Sequence, residues 1–161
     1  MKTRLRRWIG HERAQMDFRL KKLRRGHCGL NMGLGPGPYC GDPMPDDSFH
    51  IAEDVFWFLE PGIKKHCTPY TRPYTHYGVT EIPREEWMRI LLEWENLRVN
   101  LGAAKLTPDL GILRCIGGDA RRRFVSDFDR NRLGLSRMIV QLTKWMRSEL
   151  VVHEQISVLG I

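Results

Sequence analysis

The chain lacks the patterns that mark secreted and membrane-spanning proteins. Its four cysteines form no CxxC pair, and no apolar run approaches the roughly 20 residues that a membrane-spanning helix needs. The basic start of the chain has no apolar segment behind it, unlike a secretory signal peptide. We therefore expect free thiols, a cytoplasmic protein and no membrane span.

Catalytic motifs are also missing. The sequence contains no GxSxG, HExxH or HxE…PCxxC pattern, and no Lys-Ser or Lys-Thr follows the Gly-rich stretch. Glu60, His66 and His76 are candidates to converge in space, but any chain with six histidines offers such a triple. The sequence predicts no catalytic residue and no cofactor, and it leaves open whether the protein is an enzyme.

A zinc site is arithmetically possible, but its spacing is atypical. Structural zinc takes four nitrogen or sulfur ligands in tetrahedral geometry. The candidate ligands match no finger, knuckle or ribbon pattern; they are His27, Cys28, Cys40, His66 and Cys67. We therefore predict no metal.

Positive charge is confined to the N-terminus. Residues 1–26 hold ten Lys/Arg against two acids, a net charge of +8, whereas the remaining 135 residues carry −1. A basic arm of this kind is typical of nucleic-acid binding through phosphates. The candidate residues are Arg4, Arg6, Arg7, Lys21, Lys22, Arg24 and Arg25.

The arm has other interpretations. It also suits an anionic membrane surface or a solvated extension, whereas its low serine content argues against a transit peptide. A further alternative is that translation begins at Met44, which would remove most of the positive charge.

An acidic stretch follows the arm. Residues 41–60 carry six acids and no Lys or Arg. If most of them share one helix face, they form an anionic surface that steers and holds a basic partner; the alternative is a solvated face. The candidate partner-binding acids are Asp46, Asp47, Glu53, Asp54 and Glu60.

A Tyr-rich loop is predicted at 67–77, because Pro69 and Pro73 exclude a regular helix. Exposed Tyr and Arg are typical of interface anchors and also suit base stacking, while packing of the tyrosines onto the core is the alternative. The candidate binding residues in the loop are Tyr70, Arg72, Tyr74 and His76.

Two long amphipathic helices are predicted, over 83–103 and 119–150. The apolar face of the first helix repeats every 3.6 residues and consists of Trp87, Ile90, Leu91, Trp94, Leu97 and Leu101. The face of the second consists of Phe124, Phe128, Leu135, Ile139, Leu142, Met146 and Leu150. A break is expected at 131–134, since Gly134 is costly inside a helix. The arginine run at 121–123 is typical of a solvated face.

The remaining segments define the predicted architecture. A shorter helix is expected over 51–59, with a strand as the alternative, and the YGVTEI segment and the apolar tail suit a small sheet. The pattern predicts an α+β fold that is mainly helical, with one or two short strands. The expected organisation is a basic N-terminal arm at 1–26, a Gly/Pro-rich linker at 27–46 and a compact helical domain at 47–161.

The order of these segments gives the chain a resemblance. FWFLEPGIKKH leads through the Tyr-rich loop into YGVTEIPREEW, then into two helices, the second with LTKWM, and ends in ISVLGI. This resembles small, standalone bacterial immunity proteins that accompany polymorphic toxins, over 46–161. The resemblance implies a compact, non-catalytic protein that binds one toxin domain through a charged patch, and it implies no particular binding residue.

Two functions are therefore predicted. The leading one is a small non-catalytic protein-binding module, an immunity or inhibitor protein whose acidic stretch and Tyr-rich loop occlude a basic partner. The alternative is a nucleic-acid-associated protein, in which the basic N-terminal arm binds phosphates and the Tyr-rich loop stacks bases.

Overall fold

Strands and helices are interspersed along the chain in the computed structural model, which describes residues 15–22, 31–41, 44–67, 73–104 and 111–160. A 3₁₀ turn, Gly111–Arg114, precedes the two last helices. In chain order the elements are β1 (Lys21–Lys22), β2 (Asn31–Pro36), β3 (Phe49–Ala52), α1 (Glu53–Phe56), α2 (Glu60–His66), β4 (Gly78–Pro83), α3 (Arg84–Ala103), α4 (Gly118–Ser126), α5 (Phe128–Val152) and β5 (Gln155–Gly160).

The strands form one five-stranded sheet in the order β1-β3-β2-β5-β4. Every neighbouring pair is antiparallel. The prediction of a mainly helical fold with one or two short strands is therefore wrong. The fold is a mixed α+β arrangement in which α3 and α5 pack beside a complete sheet.

The middle strand, β2, comes from the segment predicted to be a linker. Its side chains alternate as a strand requires: Met32 and Leu34 are fully buried in the core, and Gly33 and Gly35 alternate with them. An added Cβ at Gly35 would lie 2.5 Å from the terminal carbon of Met44, and one at Gly33 would lie 3.1 Å from its sulfur. The glycines therefore make room for Met44 on the second face of the sheet.

This placement corrects the expectation that residues 27–46 are only a linker. The Gly/Pro-rich linker at 27–46 contains a strand that pairs with both β3 and β5. A chain that began at Met44 would lack that strand, and the sheet would be divided between β3 and β5. Residues 31–36 therefore belong to the folded body.

The predicted helix at 51–59 is also only partly correct. Ile51 and Ala52 belong to β3, where Ile51 is fully buried, and α1 and α2 follow as two short helices. Pro61 lies in the first turn of α2, where its missing N–H costs nothing. Gly62 then allows close packing, because an added Cβ would lie 3.0 Å from Nε1 of Trp94.

The prediction of the first long helix is confirmed by α3. Trp87, Ile90, Leu91, Trp94 and Leu101 are buried, and Leu97 packs against the core as a partly buried residue. The indole of Trp94 donates a hydrogen bond to the carbonyl of Leu59 at 2.9 Å. This bond ties α3 to the segment between α1 and α2.

The second helical region is divided earlier than expected. It breaks at Asp127, between α4 and α5, and not at 131–134. The buried Asn131 amide donates to the carbonyls of Arg123 and Phe124, at 3.0 Å each, and so satisfies the end of α4. Gly134 stays inside α5, where an added Cβ would lie 2.6 Å from Cδ2 of Phe18.

The small sheet predicted from YGVTEI and the apolar tail is confirmed by β4 and β5. They pair from Gly78↔Gly160 to Pro83↔Gln155. Ile82, Ile156 and Val158 are buried in the same core cluster as the helices. The C-terminal strand therefore lies next to the middle of the sheet.

Candidate functional site

The acidic stretch does not form one exposed patch. Asp46 and Asp47 are exposed, whereas the side chains of Glu53 and Asp54 are only 17% and 19% exposed. Asp54 forms an ion pair with Arg123 of α4 at 2.9 Å. Glu60 is buried, with 3% of its side chain exposed. Three of the five candidate acids are therefore engaged inside the fold.

Two of these acids bind one histidine, His76, from opposite sides. Its Nδ1 lies 2.7 Å from Oε1 of Glu60, and its Nε2 lies 3.1 Å from Oε1 of Glu53. The ring stacks on Trp57 with centroids 4.6 Å apart. Tyr77 donates a second hydrogen bond to Glu53 at 3.0 Å. We call Glu53, His76 and Glu60 the histidine clasp.

The geometry of the clasp limits its chemistry. Both ring nitrogens of His76 lie within hydrogen-bond distance of a carboxylate. Both are thus engaged by partners inside the fold. The clasp holds the loop before β4 against α1 and α2, so its role is structural.

The electrostatics of Glu60 fit this anchoring part. Burial alone would raise the pKa of Glu60, but hydrogen bonds from Lys64 and His76 outweigh burial and the pKa is lowered. Lys64 lies 2.8 Å from Oε2 of Glu60. The carboxylate therefore stays ionised while it is buried.

The histidines and tyrosines predicted for binding are distributed differently from the expectation. His66 contacts Glu93 at 3.4 Å and does not join Glu60 and His76. Tyr74 packs partly buried against the core, and burial raises its pKa. Tyr70 and Arg72 lie outside the described residues. Tyr77, which is 64% exposed, is thus the aromatic ring that this part of the chain presents to solvent.

Metal-binding clusters are absent from the part of the chain that the structure describes: no group of three or more His, Cys, Asp or Glu side chains is placed to hold an ion. Cys40, Cys67 and Cys115 are free thiols, and burial raises the pKa of Cys67 to about 11. His27 and Cys28 lie outside the described residues.

A cavity of about 300 Å³ lies between α2, α3 and the 3₁₀ turn. This volume is at the lower limit of ligand pockets, which span roughly 300–1,000 Å³. Lys65 and Glu93, its charged lining groups, already pair with each other at 2.6 Å. Its other walls are mainly apolar and include Phe58, Trp94, Leu97 and Ile112. Among the described residues, the cavity thus offers no free charge for recognition.

The basic arm is only partly described. Lys21 and Lys22 form β1, which pairs with β3 at the edge of the sheet, and Lys22 lies 3.9 Å from Asp47. Asp17 accepts hydrogen bonds from Arg19, which together with Lys21 hold the pKa of its carboxyl well below the usual range. The other candidate arm residues lie outside the described ranges; they are Arg4, Arg6, Arg7, Arg24 and Arg25.

The end of the arm docks on α5. Met16 is buried in the core, and Phe18 lies against α5 at Gly134. Arg130 donates a hydrogen bond to the Gln15 side chain at 2.9 Å. Gln15 therefore lies at the N-terminal end of α5.

The solvent-facing side of α5 is basic, which the sequence analysis missed. Three of its cations are spaced seven residues apart, at 130, 137 and 144, and aliphatic side chains lie between them, with Leu133 and Val140 each 48% exposed. The seven-residue spacing opposite the buried positions was the signal available in the sequence. We call this surface the α5 face, and it consists of Arg130, Leu133, Arg137, Val140, Lys144, Arg147 and Val151.

Acids offset part of this charge, since Glu95 of α3 interacts electrostatically with Arg147. In the described ranges no carboxylate pairs with Arg137 or Lys144. Asp129, in the first turn of α5, forms an ion pair with Arg132 at 2.9 Å. Arg130 is 3.9 Å from Asp127, a weak contact. The α5 face therefore presents fixed positive charge to solvent.

Comparison with protein-family models, with curated proteins and with solved structures found no match to this chain. Across the described residues, no helix has both the length and the apolar content needed to cross a bilayer.

Proposed function

We propose that this is a nucleic-acid-associated protein whose basic N-terminal arm and α5 face contact phosphates together. The supporting observation is the docking of Gln15 on Arg130. Residues 1–14 contain five Lys/Arg and one acid. Gln15, the residue that follows them in the chain, lies beside Arg130 of the α5 face.

Adjacent cations strengthen polyanion binding because each neutralised phosphate releases condensed counterions. For a duplex, the logarithm of the binding constant falls with the logarithm of salt concentration by roughly 0.9 per neutralised phosphate. Five cations of the arm and three of the α5 face would give a slope of about −7 if all made contacts. Binding is expected to be tight at low salt and weak at high salt.

The test is fluorescence anisotropy of a short labelled nucleic acid, titrated with the full chain at several salt concentrations. Neutralising three arm cations should reduce the magnitude of the slope by about 2.7. The variant carries Arg4→Gln, Arg6→Gln and Arg7→Gln.

A matched control removes the same charge from exposed positions outside the arm and the α5 face. It carries Arg89→Gln, Arg114→Gln and Arg121→Gln, all exposed in the structure. The control should retain the wild-type slope. Absence of binding at low salt, or equal losses in the two variants, would refute the proposal.

Protein binding is the second candidate, and one observation favours it. Asp46 and Asp47 remain exposed, and Tyr77 presents an aromatic ring to solvent. An immunity or inhibitor protein would use these groups as its contact with a basic partner. Charge reversal, Asp46→Lys with Asp47→Lys, should then abolish capture of a basic protein from lysate without lowering thermal stability, and unchanged capture would exclude these acids.

A further inference from the structure

We infer that the α5 face binds a nucleic-acid duplex along its phosphate backbones in preference to a single strand. The inference rests on the proposed function and makes it more specific. It concerns the form of the nucleic acid, and the observations that support it are the composition, the spacing and the rigidity of the α5 face.

The α5 face carries no aromatic ring. The aromatic residues of α5 are Phe128 and Trp145, and both pack against the core. Trp145 contacts Phe49 edge-on with centroids 5.2 Å apart, and Phe128 contacts Phe124 at 6.0 Å. Proteins that bind single strands combine a basic groove with aromatic side chains on which bases stack. This surface provides the charge without the stacking.

The Tyr-rich loop does not replace the missing rings. Tyr77 is exposed, but its hydroxyl donates to Glu53, and Glu60 lies on the other side of His76. Phosphates that approached Tyr77 would meet the carboxylate of Glu53, whereas Glu60 is buried. The exposed ring is therefore poorly placed for a strand whose backbone is anionic.

The spacing of the cations fits a duplex. Arg130, Arg137 and Lys144 are separated by seven residues each, which corresponds to about 10 Å along a helix. The major groove of B-form DNA is about 12 Å wide between the surfaces of its two phosphate backbones. Long, exposed side chains at this spacing can reach phosphates on both sides of the groove.

Rigidity also favours the duplex. The cations lie on one continuous helix of 25 residues, so their spacing is fixed. A duplex presents a fixed phosphate pattern, whereas a single strand must be ordered on binding, which costs conformational entropy. Neither Arg137 nor Lys144 must leave a carboxylate partner of the described chain in order to bind.

The experiment compares a blunt duplex and a single strand of equal length and mixed sequence, each titrated with the full chain. The dependence on salt is roughly 0.9 per contact for a duplex and 0.7 for a single strand, so contacts from the four cations of the α5 face favour the duplex by about sixfold at roughly 0.1 M salt, relative to roughly 1 M. Arg137→Gln with Lys144→Gln should reduce the duplex slope by about 1.8. The matched control is Arg89→Gln with Arg114→Gln, which should leave it unchanged.

The outcomes separate this inference from the proposed function. A preference for duplex of about sixfold or more, with loss only in the α5 variant, supports the inference. Equal or tighter binding of the single strand overturns it and leaves nucleic-acid binding in place. Binding of neither nucleic acid, or binding only to phosphatidylserine-containing vesicles, overturns both.

Discussion

The histidine clasp gives the sharpest stability prediction. His76→Ala removes the contacts of 2.7 Å to Glu60 and 3.1 Å to Glu53. Hydrogen bonds to charged groups contribute roughly 1.5–3 kcal/mol each. Glu60 keeps Lys64 as a donor, and Glu53 keeps Tyr77. We therefore expect the free energy of unfolding to fall by about 3 kcal/mol, the lower end of the range for two such hydrogen bonds.

The assay is urea unfolding followed by tryptophan fluorescence, because Trp57 stacks on the ring that is removed. The matched control is His153→Ala, since His153 is 37% exposed and lies 3.7 Å from Glu149. An exposed pair of this kind should change the free energy of unfolding by less than about 1 kcal/mol. Equal losses in the two variants would refute the anchoring part assigned to the clasp.

Three further predictions concern the core and the sheet. Trp94→Ala should cost about 3–5 kcal/mol in urea unfolding, since the ring is only 1% exposed; a change within error would refute its packing. A chain of residues 44–161 lacks β2 and should show no cooperative unfolding by circular dichroism, and a sharp transition would contradict the topology. The pKa of Glu60 is lowered from 4.5 in the folded state, because the hydrogen bonds it accepts outweigh burial. The ionised carboxylate therefore contributes its full stabilisation above pH 4.5, and this stabilisation is lost as the pH falls through the lower pKa of the folded state. The stability difference between wild type and Glu60→Gln should therefore shrink in acid, and a constant difference would contradict this assignment.

The long helices were predictable because one periodic pattern dominates each of them. The faces of α3 and α5 repeat every 3.6 residues, and their large side chains are buried as expected. The middle strand was not recognised, because glycine is unfavourable in strands and the alternation of Met32 and Leu34 is too short to outweigh it. The glycines of β2 are needed because Met44 packs against them, a contact between two segments that local propensities do not describe.

The candidate site was predictable in part. The sequence singled out Glu60 and His76, and the structure brings them together, but it could not show that Glu53 occupies the second ring nitrogen. The α5 face was missed because the N-terminal run of Lys and Arg dominates the charge distribution along the sequence. Arg137 and Lys144 become one surface only when the buried side of α5 is known.

The most direct test of the central claim is the salt dependence of duplex binding by the full chain. If the arm and the α5 face act together, the slope of log binding constant against log salt concentration should approach about −7, and should fall in magnitude by about 2.7 when Arg4, Arg6 and Arg7 are neutralised. Undetectable binding at low salt, or a slope near zero, would contradict nucleic-acid binding by this protein.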